Sequence, residues 1–265
     1  TLGGVQVSLH PAGHILGSAM VLLSIPSDRG TCRLVFSGDL GRYGNPLLRD
    51  PSPVEETDVL CIESTYGNRL HDEPADSCEK LERIINETCR RRGKVVVPTF
   101  AIERAQELIY HIGVLTLEGR IPRIPVFVDS PLAIDVTEVY LKFPSYLDPG
   151  IVEYAAQHET AFGFPRLKTT RSVAESREIG ATEGPAIILA GSGMCVGGRI
   201  KHHLAASIGS PENTILFVGY QAEGTLGREI LEGREEVRIL GETHRVRARV
   251  EKINGYSAHA DRDEL

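Results

Sequence analysis

Along the first part of the chain, apolar positions recur at every second residue. Val5, Val7 and Leu9 alternate with polar neighbours, the pattern of a strand with one buried face, and an apolar run over 19–25 predicts a second strand. Residues 26–30 (Pro-Ser-Asp-Arg-Gly) carry turn chemistry. The strand pattern resumes over 32–36 and stops at Ser37, Gly38 and Asp39. A short apolar strand over 59–62 ends in Glu63, Ser64 and Thr65. Strand ends that give way to a polar residue and a turn are where α/β proteins hold their ligands.

From about Asp76 the period changes to strand–helix alternation. Leu81, Ile84, Ile85, Thr88 and Cys89 fall on one helical face, and Arg90, Arg91, Arg92 and Gly93 predict its end through cations and a C-terminal glycine. A buried strand over 95–97 leads to a helix marked by Ala105, Leu108, Ile109 and Ile112. The strand over 126–128 runs into Asp129, Ser130 and Pro131, and then a helix through Val136 and Tyr140. The span 144–184 shows no clear period. Residues 187–190 form a strand that opens into the glycine-rich loop 191–199, a helix near 200–206 and a strand over 215–218. Two further short strands are predicted near 237–240 and 246–253. Four strand–helix repeats predict an α/β fold, with a parallel sheet covered by helices on both faces as a Rossmann-like layer.

Composition narrows the function classes. The 265 residues are 41% hydrophobic and 25% charged, an ordinary globular mix, and no run approaches the roughly 20 apolar residues of a membrane span. The five cysteines are scattered without a CxxC pair, which excludes a cysteine zinc finger and points to a reducing cytoplasm. A net charge of −7 excludes attachment to nucleic acid by bulk positive charge and leaves room only for a locally basic groove. Thr1 stands where a methionine would, the start lacks a signal-peptide pattern, and strand character begins at once, so a fragment is expected.

Four polar residues are candidates for chemistry. His14 lies on a loop between two strands, among glycines, a presentation that suits a metal; a loop histidine bonded to a carbonyl is the ordinary alternative. Asp39, flanked by Gly38 and Gly41 at a strand end, could bridge metal ions or merely form a turn. Glu63 ends an apolar strand and, if buried, needs a partner. His259, predicted to open a helix, becomes a usable proton donor if a carboxylate orients it. The loop 191–199 (GSGMCVGGR) offers amides and a helix N-terminus to a phosphate through Ser192, Gly193 and Arg199, although its GxGxxxG spacing is not the dinucleotide pattern. Arg42, Arg69, Arg104, Arg166, Lys168 and Arg171 could line a channel or form a solvated face. Cys195 has no base near it in sequence and is a poor nucleophile candidate.

Eight segments occur in a telling order: HPAGHILGSA, FSGDLGR, IESTYGNR, VPTFAIERAQE, VDSPLA, AGSGMCVGGRI, FVGYQAEGTLG and GYSAHAD. Together they resemble the β-CASP branch of the metallo-β-lactamase superfamily, which includes RNase J-like enzymes and the cleavage-and-polyadenylation type of endoribonuclease. The resemblance implies a partial αββα lactamase domain at 1–67, an inserted β-CASP domain at 68–254 and a return to the lactamase domain over 255–265. It assigns His14 and Asp39 as zinc ligands, with Asp39 bridging two ions. It makes Glu63 the acid that pairs with His259, and His259 the proton donor to the leaving oxygen. It also implies single-stranded RNA as partner, no membrane, and a possible homodimer.

Two departures bear on activity. The family's HxHxDH segment would lie before Thr1, and a later histidine beyond Leu265, so this chain by itself is expected to be inert while its parent is a zinc-dependent ribonuclease. A DNA nuclease of the same branch, a nucleotide-binding α/β module and a silent RNA-binding scaffold are the competing readings.

Overall fold

The computed structural model describes residues 3–54, 56–72 and 74–265. The chain folds as two compact units, one of Thr1–His71, Phe143–His158 and Ala258–Leu265, the other of Asp72–Lys142 and Glu159–Ser257. The segment Phe143–His158, which the sequence reading leaves inside the inserted domain, packs with the first unit.

In the first unit β1 (Gln6–Pro11), β2 (Ala19–Ser27), β3 (Gly30–Phe36) and β4 (Val59–Cys61) form one sheet in that order. β1, β2 and β3 run antiparallel, and β4 joins β3 in parallel. The predicted turn closes the β2–β3 hairpin: the Ser27 hydroxyl donates to the Gly30 carbonyl at 2.8 Å, and Gly30 takes φ 117°, which favours glycine. Ala12, Met20, Leu40 and Ala260 form a small buried cluster, so the far end of the chain packs beside the first strands.

The second unit alternates strand and helix. Its helices are α1 (Pro74–Arg90), α2 (Arg104–Leu117), α3 (Pro131–Lys142), α5 (Val173–Gly180), α6 (Ile200–Ser207) and α7 (Leu226–Leu231), while α4 (Pro149–His158) belongs to the first unit. Its strands are β5 (Lys94–Pro98), β6 (Val126–Asp129), β7 (Leu167–Thr169), β8 (Ala186–Ala190), β9 (Thr214–Phe217), the hairpin β10 (Glu236–Ile239) and β11 (Glu242–Arg245), and β12 (Arg249–Lys252). Six of these strands make an all-parallel sheet in the order β12-β9-β5-β8-β6-β7, flanked by helices. β6, β8 and β9 are buried throughout, as a sheet covered on both faces requires. Val96, Ile188, Ala190, Ile200, Leu204, Ile215 and Phe217 sit at the centre of this core. Each large apolar side chain there contributes about 1.5–3 kcal/mol by leaving water.

Four local expectations need correction. The alternating apolar residues of β1 form no buried face: β1 is an edge strand, and Val7 and Leu9 are 57% and 68% exposed. The C-terminal stretch holds three strands rather than two, because Leu240 and Gly241 turn through positive φ and fold β10 back onto β11. The left-handed residue that ends α1 is Arg92 (φ 62°), not Gly93; Gly93 is needed because a Cβ there would strike the Glu212 carbonyl. His259 opens no helix: it lies in an isolated antiparallel bridge with Gly41.

Candidate active site

The first unit brings together side chains that are far apart in sequence. The His14 loop closes on itself: the Ala12 amide donates to the Ser18 carbonyl (3.1 Å), and the Ser18 hydroxyl accepts the amides of His14 (3.1 Å) and Ile15 (3.3 Å). Beside it runs the strand end that carries Asp39. Gly13 bridges Leu40, the Gly41 amide donates to the Ala12 carbonyl (2.7 Å), and the Ala260 amide donates to the Leu40 carbonyl (2.8 Å). Residues 40–41 thus lie between the His14 loop and the His259 segment. Only glycine fits at 41, since a Cβ would collide with the backbone of Gly13.

His14 Nε2 lies 3.9 Å from Asp39 Oδ2, and the His14 and His259 rings are 4.2 Å apart between centroids. Each of His14, Asp39 and His259 offers one ligand atom, and these atoms all lie within 4.8 Å of one another. A nitrogen–oxygen–nitrogen set of this size fits a divalent cation such as zinc. Three donors fall one short of zinc's usual four.

The Glu63 side chain is 7% exposed and meets His259 Nδ1 at 3.1 and 3.2 Å. Burial pushes its carboxyl up, but hydrogen bonds from Thr65, the Leu40 amide and His259 outweigh that and hold it below the usual glutamate value. An ionised carboxylate can only accept, so His259 Nδ1 carries the hydrogen of this bond and Nε2 is the nitrogen left for other chemistry. The Ser37 hydroxyl accepts the Glu63 amide (3.0 Å), which fixes the root of the acid.

A second support was invisible to sequence reasoning. His71 Nε2 donates to the His259 carbonyl at 2.9 Å, and the His71 amide donates to Asp261 Oδ2 at 3.0 Å. Burial lowers the His71 pKa, with the His259 carbonyl pulling the other way. Its ring lies 4.6 Å from that of Tyr66, over which Arg69 is placed. Asp261 belongs to the quoted SAHAD segment, which was a usable signal; nothing in the pattern marks His71.

Ser192, Gly193 and Arg199 belong to the second unit. The Ser192 amide donates to the Gly197 carbonyl (3.1 Å), the Gly197 amide to the Ser192 hydroxyl (3.2 Å) and the Cys195 amide to the Ser192 carbonyl (3.1 Å), so these amides serve the loop itself. Arg199 donates to Asp129 (2.7 Å) and to the carbonyls of Thr170 (3.2 Å) and Arg171 (2.6 Å). Among the other basic candidates, Arg104 is buried and donates to the Val218 carbonyl, and Arg171 is paired with Asp135 and Glu138. Burial pushes the Cys195 thiol up to about 12, which fits its dismissal as a nucleophile.

Among the described residues no helix is long and apolar enough to cross a membrane. Residues 105–230 match the Beta-Casp domain, and residues 243–265 match the Zn-dependent metallo-hydrolase RNA specificity domain, a family description that implies dependence on metal. The chain is 40% identical to Ribonuclease TTHA0252 of Thermus thermophilus over 266 residues, covering 100% of this chain and 60% of that protein. It is 35% identical to an RNase J-like protein of Methanocaldococcus jannaschii, covering 98% and 59% respectively. It is 36% identical to the transcription termination factor FttA of Thermococcus kodakarensis, covering 98% and 41%. The chain therefore spans about three fifths or less of the length of these curated relatives. Similarity along the whole chain, with the Beta-Casp match inside it and the RNA specificity domain at its end, makes this chain a member of the β-CASP branch of the metallo-β-lactamase superfamily.

Proposed function

We propose that the intact protein is a zinc-dependent ribonuclease that hydrolyses phosphodiester bonds of single-stranded RNA. The observation that carries this reading is the convergence of residues 14, 39, 63 and 259 in one unit, with an acid–imidazole pair against a metal-sized donor set. His14 and Asp39 would hold metal, with Asp39 shared between two ions and the remaining donors supplied from outside this chain. When bound, zinc supplies Lewis acidity at the phosphoryl oxygens and an acidified water.

The rest is the work of side chains. Glu63 holds and orients His259 through Nδ1, so that Nε2 can deliver a proton to the departing 3′ oxygen. His71 and Asp261 fix the backbone on which His259 stands. Ser192, Gly193 and Arg199 would define a substrate-binding loop, with Arg199 acting mainly through its anchoring of that loop to Asp129. Five free cysteines suit a reducing cytoplasm. The proposal extends to a homodimer, which light scattering of the intact protein tests.

His259→Ala decides the role of the imidazole. Turnover of RNA by the intact protein should fall about 10²- to 10⁴-fold with zinc content unchanged. Loss of zinc in this variant would instead make His259 a third ligand, the role its place in the donor cluster also permits. Matched RNA and DNA oligonucleotides test the substrate, with RNA the one cleaved.

A further inference from the structure

The carboxyl edge of the parallel sheet carries a feature the hydrolytic machinery does not use. β9, β5 and β8 are neighbours in that order and run parallel, so their outgoing loops emerge side by side. From β5 the chain passes to β6 on one flank, and from β8 to β9 on the other. The winding therefore reverses at the β5–β8 boundary, the place where open α/β sheets bind ligands.

These loops present apolar side chains to water. Phe100 follows β5, Val196 follows β8 and Tyr220 follows β9, with exposures of 42%, 63% and 48%. Phe100 is flanked by bare backbone: a Cβ on Gly193 would stand 2.6 Å from two of its ring atoms, and one on Gly219 would stand 4.0 Å from another. Buried amides anchor the surrounding loops. Gln106 Nε2 donates to the Ala101 carbonyl (3.1 Å) and Gln221 Nε2 donates to the Gly193 carbonyl (2.9 Å). An exposed ring held this firmly is pre-organised for a flat partner. Arg199 is turned to Asp129, and the exposed ring faces are an attraction this edge offers to a nucleic acid.

We propose that Phe100 and Tyr220, together with Val196, form a platform on which bases of the single-stranded RNA stack. The inference rests on the RNA reading above and specifies how the strand is held. Stacking tolerates any base, because each has a π-face, and it weakens little with added salt compared with phosphate contacts.

The test uses the intact protein and short fluorescent oligouridylate and oligoadenylate. Phe100→Ala and Tyr220→Ala should each weaken binding about fivefold to a hundredfold for both sequences. Phe100→Tyr should bind as wild type does, and thermal unfolding should confirm that all variants fold. An RNA carrying 2-aminopurine should be quenched by wild type and recover its fluorescence in Phe100→Ala. If both alanine variants bind like wild type, or Phe100→Tyr loses as much as Phe100→Ala, the platform is wrong while the RNA reading stands. If wild type binds no single-stranded RNA, the RNA reading falls and the platform with it.

Discussion

Asp129 offers the sharpest quantitative check. It ends β6 with 0% exposure and accepts four side-chain hydrogen bonds. Thr170 (2.5 Å) and Arg199 (2.7 Å) meet Oδ1, while Ser176 (2.6 Å) and His203 (2.7 Å) meet Oδ2. Burial pushes the carboxyl up, but the bonds from His203, Ser176, Thr170 and Arg199 outweigh it and hold Asp129 well below the usual aspartate range. Asp129→Ala removes the shared acceptor and takes the carboxylate from the Arg199 cation, which keeps the carbonyls of Thr170 and Arg171. Deleting one partner of a buried pair costs about 3–5 kcal/mol. Arg199 keeps 21% side-chain exposure and can recruit water, which trims the ionic part. Two orphaned hydroxyls return about 1 kcal/mol each, so the sum stays near 4 kcal/mol. Asp129→Asn keeps the shape and one acceptor, and should cost about 2 kcal/mol. Urea unfolding of the intact protein, followed by far-UV circular dichroism at pH 7, measures both. Because the folded pKa is depressed, the contribution is complete above the unfolded value of about 3.9 and disappears as pH falls through the folded one. The gap between wild type and Asp129→Ala should therefore persist at pH 5 and shrink in stronger acid. A loss under about 1 kcal/mol for Asp129→Ala at pH 7 would refute the reasoning.

Other variants probe the active-site scaffold. Gly41→Ala drives a methyl into the Gly13 backbone and should cost roughly 3 kcal/mol or more, read by thermal unfolding. Glu63→Gln frees His259 from its charged anchor; single-turnover RNA cleavage by the intact protein should fall on the order of 10²-fold with zinc content unchanged. His71→Leu should slow the same step about tenfold, and His71→Gln, which restores a donor for the His259 carbonyl, should recover most of it. Burial lowers His111 to about 4, so its neutral form is favoured by folding. That stability is complete above about pH 6.5 and is lost as pH falls through 4, amounting to on the order of 2 kcal/mol after allowing for partial exposure. His111→Phe should flatten this stretch of the stability–pH curve.

Much of the architecture was readable in the chain because its period is strong. Fully apolar runs such as 95–97 and 187–190 became central parallel strands; the alternation of Val7 and Leu9 marked an edge strand of the first sheet, but its apolar side chains face water. The span 144–184 stayed opaque because its elements are short: β7 has three residues and α5 eight. The Ser172–Glu175 capping box at α5 was the one local signal there. At the site, individual strand-end residues could be nominated, but their meeting could not. Glu63 and His259 are 196 positions apart, and only the ordered motifs of a family link them. Arg199 looked like a phosphate ligand because its partner, Asp129, lies 70 positions away on another strand. His71 acts through a backbone carbonyl, an interaction that leaves no trace in side-chain pattern.

The first unit is assembled from three stretches of chain, and its last stretch begins at Ala258. Translation therefore delivers Glu63 long before the imidazole it anchors. At roughly 5–20 residues per second the ribosome needs on the order of 10–40 s to cover the 196 positions between them. During that interval the acid has no histidine to hold and the donor cluster lacks its final member.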